Sequence, residues 1–296
     1  MQTFGLFPGQ SATQLTRYTL PDPTATSATL LARTIAVAAN SVQLPAAHNR
    51  LRTQRSVPGG IVCAALTEPK GQLPAGQLIL GPSQHVLCEQ VLMAKSDYCV
   101  LPAGIKVETA LSIFAPGVDA VRALLDYAQV HPGQRLAIID DWPLRSNLCA
   151  ALAQYFGVTD VQQFTTLTAR TQLPKQNNYF HAVINFTSEV QIDQLALAAL
   201  HPAGIIASRN AFAPDLSSKL ALFVHMGARS KLNLEAAAMP LWALLTETQF
   251  TLPEIQLYPF TTPGVRTACS LSRVTSPVPI LSMRAATGVL TVTIKN

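Results

Sequence analysis

The amino-acid sequence predicts an α/β protein in which a parallel sheet with helices on both faces lies between two β-rich stretches of chain. Three observations predict it. Short apolar runs bounded by Gly and Pro fill the first third of the chain. From about residue 107 to 250, strand-like and helix-like runs alternate, which is the pattern of a parallel sheet. After Thr251 the chain returns to short, Pro-punctuated β-like segments. The simplest arrangement has 1–108 and 251–296 forming one β-rich domain, with 109–250 as the inserted α/β domain.

The elements follow in order. Leu30–Val37 is a β-rich run after the turn signal Pro21-Asp22-Pro23. Ile61–Leu66 follows Pro58-Gly59-Gly60, Gln77–Leu80 precedes Gly81-Pro82, and His85–Leu92 is a further strand. Glu108–Ala128 reads as helix broken at Pro116-Gly117, because an interior proline removes a backbone donor. Arg135–Ile139 is a short apolar strand after the turn His131-Pro132-Gly133. Leu144–Phe156 is a helix capped by Gly157. Val158–Phe164, His181–Phe186, Gly204–Ser208 and Leu220–His225 read as strands, with a helix at Gln191–Leu200. Glu235–Thr248 is a helix with a break at Pro240, and Val289–Ile294 is a last strand.

Composition excludes several classes. With 49% hydrophobic and 12% charged residues, the chain can bury a large core and is no disordered tail. Its 21 Lys and Arg residues are scattered with no two adjacent, so the net charge of +5 makes no nucleic-acid stripe. Apolar runs such as Leu195–Leu200 are far short of the ~20 residues of a membrane span. The first residues carry no basic and apolar leader, which places the protein in the cytoplasm. Five cysteines, Cys63, Cys88, Cys99, Cys149 and Cys269, lack the close pairing of a zinc or redox motif and read as free thiols.

Ala38-Ala39-Asn40-Ser41-Val42-Gln43, Val57-Pro58-Gly59-Gly60, Leu101-Pro102-Ala103-Gly104, His131-Pro132-Gly133 and His201-Pro202-Ala203-Gly204, in this order and spacing, together resemble the medium-chain dehydrogenase/reductase superfamily, in its zinc-independent quinone oxidoreductase branch. Leu30–Gln43, ending Ala38-Ala39-Asn40-Ser41-Val42-Gln43, is similar to the strand and turn around that branch's Asn-x-x-Asp motif. Val57-Pro58-Gly59-Gly60 resembles the turn that follows. Leu87-Cys88-Glu89-Gln90-Val91 through Leu101-Pro102-Ala103-Gly104 resembles the segment leaving the barrel, and His131-Pro132-Gly133-Gln134-Arg135-Leu136 the approach to the first sheet strand. His181–Phe186, Leu195–Leu200 and His201-Pro202-Ala203-Gly204 are similar to its later strand–helix–strand segment. The resemblance implies a GroES-like barrel built from both chain ends around a Rossmann-type domain. It also implies NADP as cofactor, a small-molecule carbonyl or alkene as substrate, and room for a homodimer.

Two departures limit what carries over. Asn40 stands where zinc-dependent relatives have Cys, and Gly60 and Ile61 where they have His and Glu, so a zinc site is not expected. The phosphate-binding turn normally needs glycines so that backbone amides can approach a pyrophosphate at the helix start. Here Ile139 leads into Asp140-Asp141-Trp142-Pro143-Leu144-Arg145-Ser146, and no glycine occurs between Gln134 and Phe156. Two carboxylates at that turn predict repulsion of the pyrophosphate.

Candidate residues follow from the resemblance. Asn40 would orient a substrate carbonyl, or else stabilises a turn. Asp141, Trp142, Phe164, Thr165, Asn185, Phe186 and Ser208 fall where the cofactor would lie. Phe164-Thr165-Thr166, with no acid at the strand end, suits NADP, with Arg170 or Lys175 near a 2′-phosphate. Arg50, Arg52 and Arg55 offer anion contacts, His48 and His85 acid–base groups, and Asp140 or Asp141 a cap for the helix at Pro143. The resemblance implies an NADP-dependent oxidoreductase that reduces a carbonyl or activated alkene in the interdomain cleft; the alternative, favoured by the lost glycines, is a non-catalytic relative that binds a partner.

Overall fold

A computed structural model describes residues 1–6, 10–43, 58–211, 213–216, 220–227, 230, 232–247, 250–271, 277–283 and 290–292. In chain order the elements are β1 (Gln2–Gly5), β2 (Thr16–Thr19), β3 (Thr29–Ala38), β4 (Gly60–Leu66), β5 (Leu78–Ser83), β6 (Gln90–Ala94) and β7 (Cys99–Val100). Then come α1 (Val107–Arg122), β8 (Arg135–Ile139), α2 (Pro143–Tyr155), β9 (Asp160–Phe164), α3 (Thr166–Gln172), β10 (Phe180–Asn185) and α4 (Val190–Ala199). The last are β11 (Leu200–Ser208), β12 (Ala221–His225), α5 (Leu234–Glu247), β13 (Ile255–Pro259), α6 (Thr262–Ser270), β14 (Val278–Ser282) and β15 (Leu290–Val292). The chain divides into two compact units, Met1–Ala115 with Thr251–Asn296, and Pro116–Phe250.

The first unit is built on a mixed eight-stranded sheet, with β1 and β2 as a separate ribbon. Its centre is β3, which pairs with β4 along one edge. On the other edge its first half, Thr29–Arg33, pairs with β6, and its last residues, Ala36–Ala38, pair with β14. A register shift between Thr34 and Ala36 accompanies that change of partner, the bend a bulge provides at a barrel corner. The core holds Phe4, Leu30, Val37, Val62, Ile79, Val91, Met93, Tyr258 and Leu281.

Over the same core lies α6, in a stretch whose sequence reads as β-like. Thr261 caps it by accepting from the Gly264 N–H, and Val265, Ala268 and Cys269 turn inward at helical spacing. Its short length and β-branched residues hide that period.

The second unit carries a five-stranded, wholly parallel sheet in the order β12-β11-β10-β8-β9. Leu136–Ile139 and Ala182–Asn185 are buried, as strands covered on both faces must be. Compared with the doubly wound order 3-2-1-4-5-6, the strand beyond β9 is absent among the described residues, and α3 returns almost directly to β10.

Neither proline breaks its helix. Pro116 lies inside α1 and Pro240 inside α5. Gly117 explains part of this: a Cβ there would fall 2.5 Å from a Leu241 methyl, so the small residue lets α1 lie directly against α5. Packing of this kind outweighs the lost donor. Gly157 caps α2 in the left-handed region, at φ 82°, as the sequence predicts. No helix among the described residues is long and apolar enough to cross a membrane.

Candidate functional site

In open parallel sheets, ligands bind beyond the carboxyl ends of the strands where the order reverses. Here that point lies between β8 and β10, because the chain leaves β8 toward β9 and then crosses back. The residues at this end are Asp140 and Asp141 after β8, Thr165 and Thr166 after β9, Phe186 and Thr187 after β10, and Arg209 and Asn210 after β11.

The Asp140 carboxylate is buried and holds the buried guanidinium of Arg145 through two hydrogen bonds, from Nε at 2.6 Å and from Nη2 at 2.8 Å. It also accepts from the Trp142 backbone N–H at 3.0 Å. The Arg145 guanidinium carbon sits 4.4 Å from the Phe186 ring centroid and 5.3 Å from that of Trp142. Asp119 on α1 lies 3.7 Å from Arg145 and 2.7 Å from Arg209. Burial, then Arg145 beside it, push the Arg209 pKa below its ordinary value, and Asp119 and Asp140 partly offset this. Arg145, Arg209, Asp119 and Asp140 thus bring two charges of each sign to the crevice.

Asp141 is exposed and faces β9: its carboxylate accepts from the Thr166 N–H at 2.8 Å and from the Thr166 hydroxyl at 2.5 Å. Thr165 caps α3, accepting from the Thr168 N–H. Neither aspartate caps α2. Its N-cap is Trp142, with no side-chain cap, and Pro143 takes the first turn. The expected cap fails because both carboxylates have stronger partners, a guanidinium for Asp140 and the Thr166 pair for Asp141.

Deeper between β10, β11 and α4 lies a fully buried carboxylate, Asp193. It accepts from Asn185 Nδ2 at 2.8 Å, Ser208 Oγ at 2.9 Å and Asn210 Nδ2 at 2.6 Å. Asn185 in turn accepts from the Thr187 N–H and hydroxyl. The side chains of Asn185 and Ser208 are therefore spent on binding these strand ends to α4. Phe164 is a core residue, its ring edge-on to Phe180 at 6.1 Å. Arg170 pairs with Glu189 at 2.5 Å.

Of the sequence candidates, Asp141, Trp142, Phe164, Thr165, Asn185, Phe186 and Ser208 all lie at the carboxyl end of the second unit's sheet. Asn40 belongs to the first unit, in a short 3-10 turn after β3. It is half-buried, and its side chain has no hydrogen-bond partner among the described residues. The neighbouring Ser41 hydroxyl instead ties this turn to β4, accepting from the Ile61 N–H at 2.7 Å. His85 is exposed. His48, Arg50, Arg52 and Arg55 lie outside the described residues. The sequence reading did not single out Arg145, Asp193, Arg209 or Asn210. The signal for Arg145 was present: an aspartate ending an apolar strand and an arginine five residues on, in the first turn of the next helix.

These residues do not fit a pyrophosphate held in the usual way. That mode uses free amides at the helix start. Pro143 has no N–H, and the Trp142 N–H is donated to Asp140. Asp140, Asp141 and Trp142 carry side chains where a close approach needs none. The carboxylate repulsion expected from the sequence is not the main obstacle, because Arg145 neutralises Asp140. What departs from the usual mode is the turn itself, where the Trp142 N–H and the Asp140 and Arg145 side chains are bonded to one another and Pro143 offers no donor.

No protein-family model matches this chain, and no curated protein matches it by sequence. Solved structures match it by fold. A mycobacterial quinone oxidoreductase superposes with a TM-score of 0.76 at 16% identity, over 95% of this chain and 99% of that one. A 2-haloacrylate reductase gives 0.76 at 11% identity, over 96% and 100%. A mycobacterial protein solved as a complex with NADPH gives 0.71 at 16%, over 95% and 99%. The chain has the fold of quinone oxidoreductases, a haloacrylate reductase and alcohol dehydrogenase superfamily proteins, a Rossmann-type domain with a GroES-like one.

Proposed function

We propose that this chain uses the oxidoreductase fold without pyridine-dinucleotide chemistry, as a non-catalytic binding protein. One observation carries the reading: the buried Asp140–Arg145 pair, with the Trp142 N–H turned onto Asp140, occupies the helix start that would receive a pyrophosphate. Asp141 bridging to Thr166 supports it, since that carboxylate spans β8 and β9 where an adenosine ribose would lie.

A second reading has its own support. The NADPH complex of a similarly folded protein, together with an Asn40 amide that has no hydrogen-bond partner among the described residues, favours an NADP-dependent reductase of a carbonyl or activated alkene. In it, the Asn40 amide donates to the substrate carbonyl. Calorimetric titration of the unmodified protein with NADPH separates the two. The expected result is no detectable binding at millimolar cofactor. Micromolar or tighter binding would overturn the first reading and establish the second.

A further inference from the structure

At the opposite end of the same parallel sheet, three of the chain's six histidines, His131, His181 and His201, line one cavity of about 120 Å³. The rings of His181 and His201 stack with centroids 5.1 Å apart and planes 25° apart. Gly204 lets the strands close there, since a Cβ on it would lie 2.8 Å from the His181 carbonyl oxygen and 2.9 Å from that of His201. Two of the three non-glycine residues with left-handed backbone among the described residues, Gln129 (φ 47°) and Ala203 (φ 62°), also line this cavity. Such conformations cost energy and cluster at ligand clamps.

The hydrogen bonds fix both imidazoles. His181 Nδ1 accepts from the Arg135 backbone N–H at 3.1 Å, so the ring proton of His181 is on Nε2, a donor. His201 Nδ1 lies 2.7 Å from the Pro202 carbonyl oxygen, which can only accept, so Nδ1 carries a proton and Nε2 is left as a lone pair. This pairing excludes a bis-imidazole metal site, because the one lone pair of His181 is taken by a backbone N–H. It suits a ligand that accepts from His181 and shares a proton with His201.

We propose that this cavity binds a small carboxylate, one oxygen accepting from His181 Nε2–H and the other from His201 after Nε2 of that ring takes up one proton from solvent. The surrounding charge agrees. Among the described residues, no Asp or Glu lines the cavity. The charged or titratable groups that act on His181 are Arg135 on β8 and His201 on β11, and His131, in the turn before β8, lines the same cavity. The Arg135 guanidinium lies against the Tyr179 ring at 4.6 Å and donates to the Tyr179 carbonyl, so it contributes field without closing the cavity.

The test is titration with sodium propionate against sodium chloride at matched ionic strength, read by the imidazole nitrogen resonances of the intact chain. Saturable shifts of His181 and His201 with propionate alone are expected. Affinity should fall by up to about tenfold per pH unit as pH rises, because binding takes up one proton. His201→Gln, at an exposed side chain, should weaken binding about tenfold or more while thermal stability stays unchanged. Resonances that do not move, an equal response to chloride, or unweakened binding by the folded His201→Gln protein would each overturn the proposal. None of these outcomes depends on whether the chain binds NADPH.

Discussion

Arg145 and Asp140 meet side-on, two nitrogens to two oxygens, with both side chains almost wholly removed from water. The pair joins the end of β8 to the first turn of α2 at the point where related folds hold a phosphate. A buried pair of this kind is worth little over a hydrophobic substitute, but losing one partner strands a charge. Arg145→Met should therefore cost about 3–5 kcal/mol of unfolding free energy. Asp140→Leu combined with Arg145→Met should recover much of that loss. Chemical denaturation of the two variants checks this, and an equal loss in both would show that the stranded Asp140 charge is not what destabilises Arg145→Met.

His181 should make stability depend on mild acid. Burial, then Arg135 and His201, hold its pKa below the ordinary 6.5. The unfolded chain takes up the proton first as pH falls. Its contribution is thus fully present above about pH 6.5 and declines as pH drops from there toward the lowered folded value. His181→Gln should flatten the dependence of melting temperature on pH between 6.5 and 5, on the order of the window set by that shift. An unchanged slope would count against a half-buried ring held neutral.

All five cysteines are buried. Burial pushes the Cys269 thiol up to about 12, and burial, then Asp140, push the Cys149 thiol higher. Thiolate is the reactive form, so the native protein should label negligibly at pH 8 and reveal five thiols after denaturation. Counting modified cysteines by intact mass decides it. Labelling of Cys269 or Cys149 without loss of structure would refute the assignment.

Gly117→Ala tests why α1 survives its proline. The added methyl would meet Leu241 at 2.5 Å, so overpacking should cost about 1–3 kcal/mol. Leu241→Ala should itself cost about 2–5 kcal/mol, because it empties a fully buried site. Combining it with Gly117→Ala should add less than the sum of the two single losses. Strict additivity, read from denaturation curves, would place the two residues out of contact.

The β, α/β, β order was legible in the sequence because Gly and Pro mark the turns and because doubly covered strands such as Leu136–Ile139 read as solid apolar runs. The missing glycines after Ile139 were equally legible. What replaced them was not. The Asp140–Arg145 bond depends on where the first turn of α2 points an arginine, and the Asp193 network joins residues up to 17 apart through two strand ends and a helix. Pro116 and Pro240 misled because local propensity says nothing of the helix that lies across the proline. α6 was missed because its four buried positions span too few turns to show a period.

The pairing of β14 with β3 has a consequence in time. A ribosome delivers Ala36–Ala38 more than two hundred residues before Ile280–Ser282, the strand that completes that edge. The second unit is one continuous stretch and is complete by Phe250. It can close while the first is still waiting, its β3 edge unpaired and open to other chains. Synthesis therefore finishes the middle of this protein before its beginning, and truncation between Phe250 and Ile280 spares the parallel sheet while leaving β3 without its last partner.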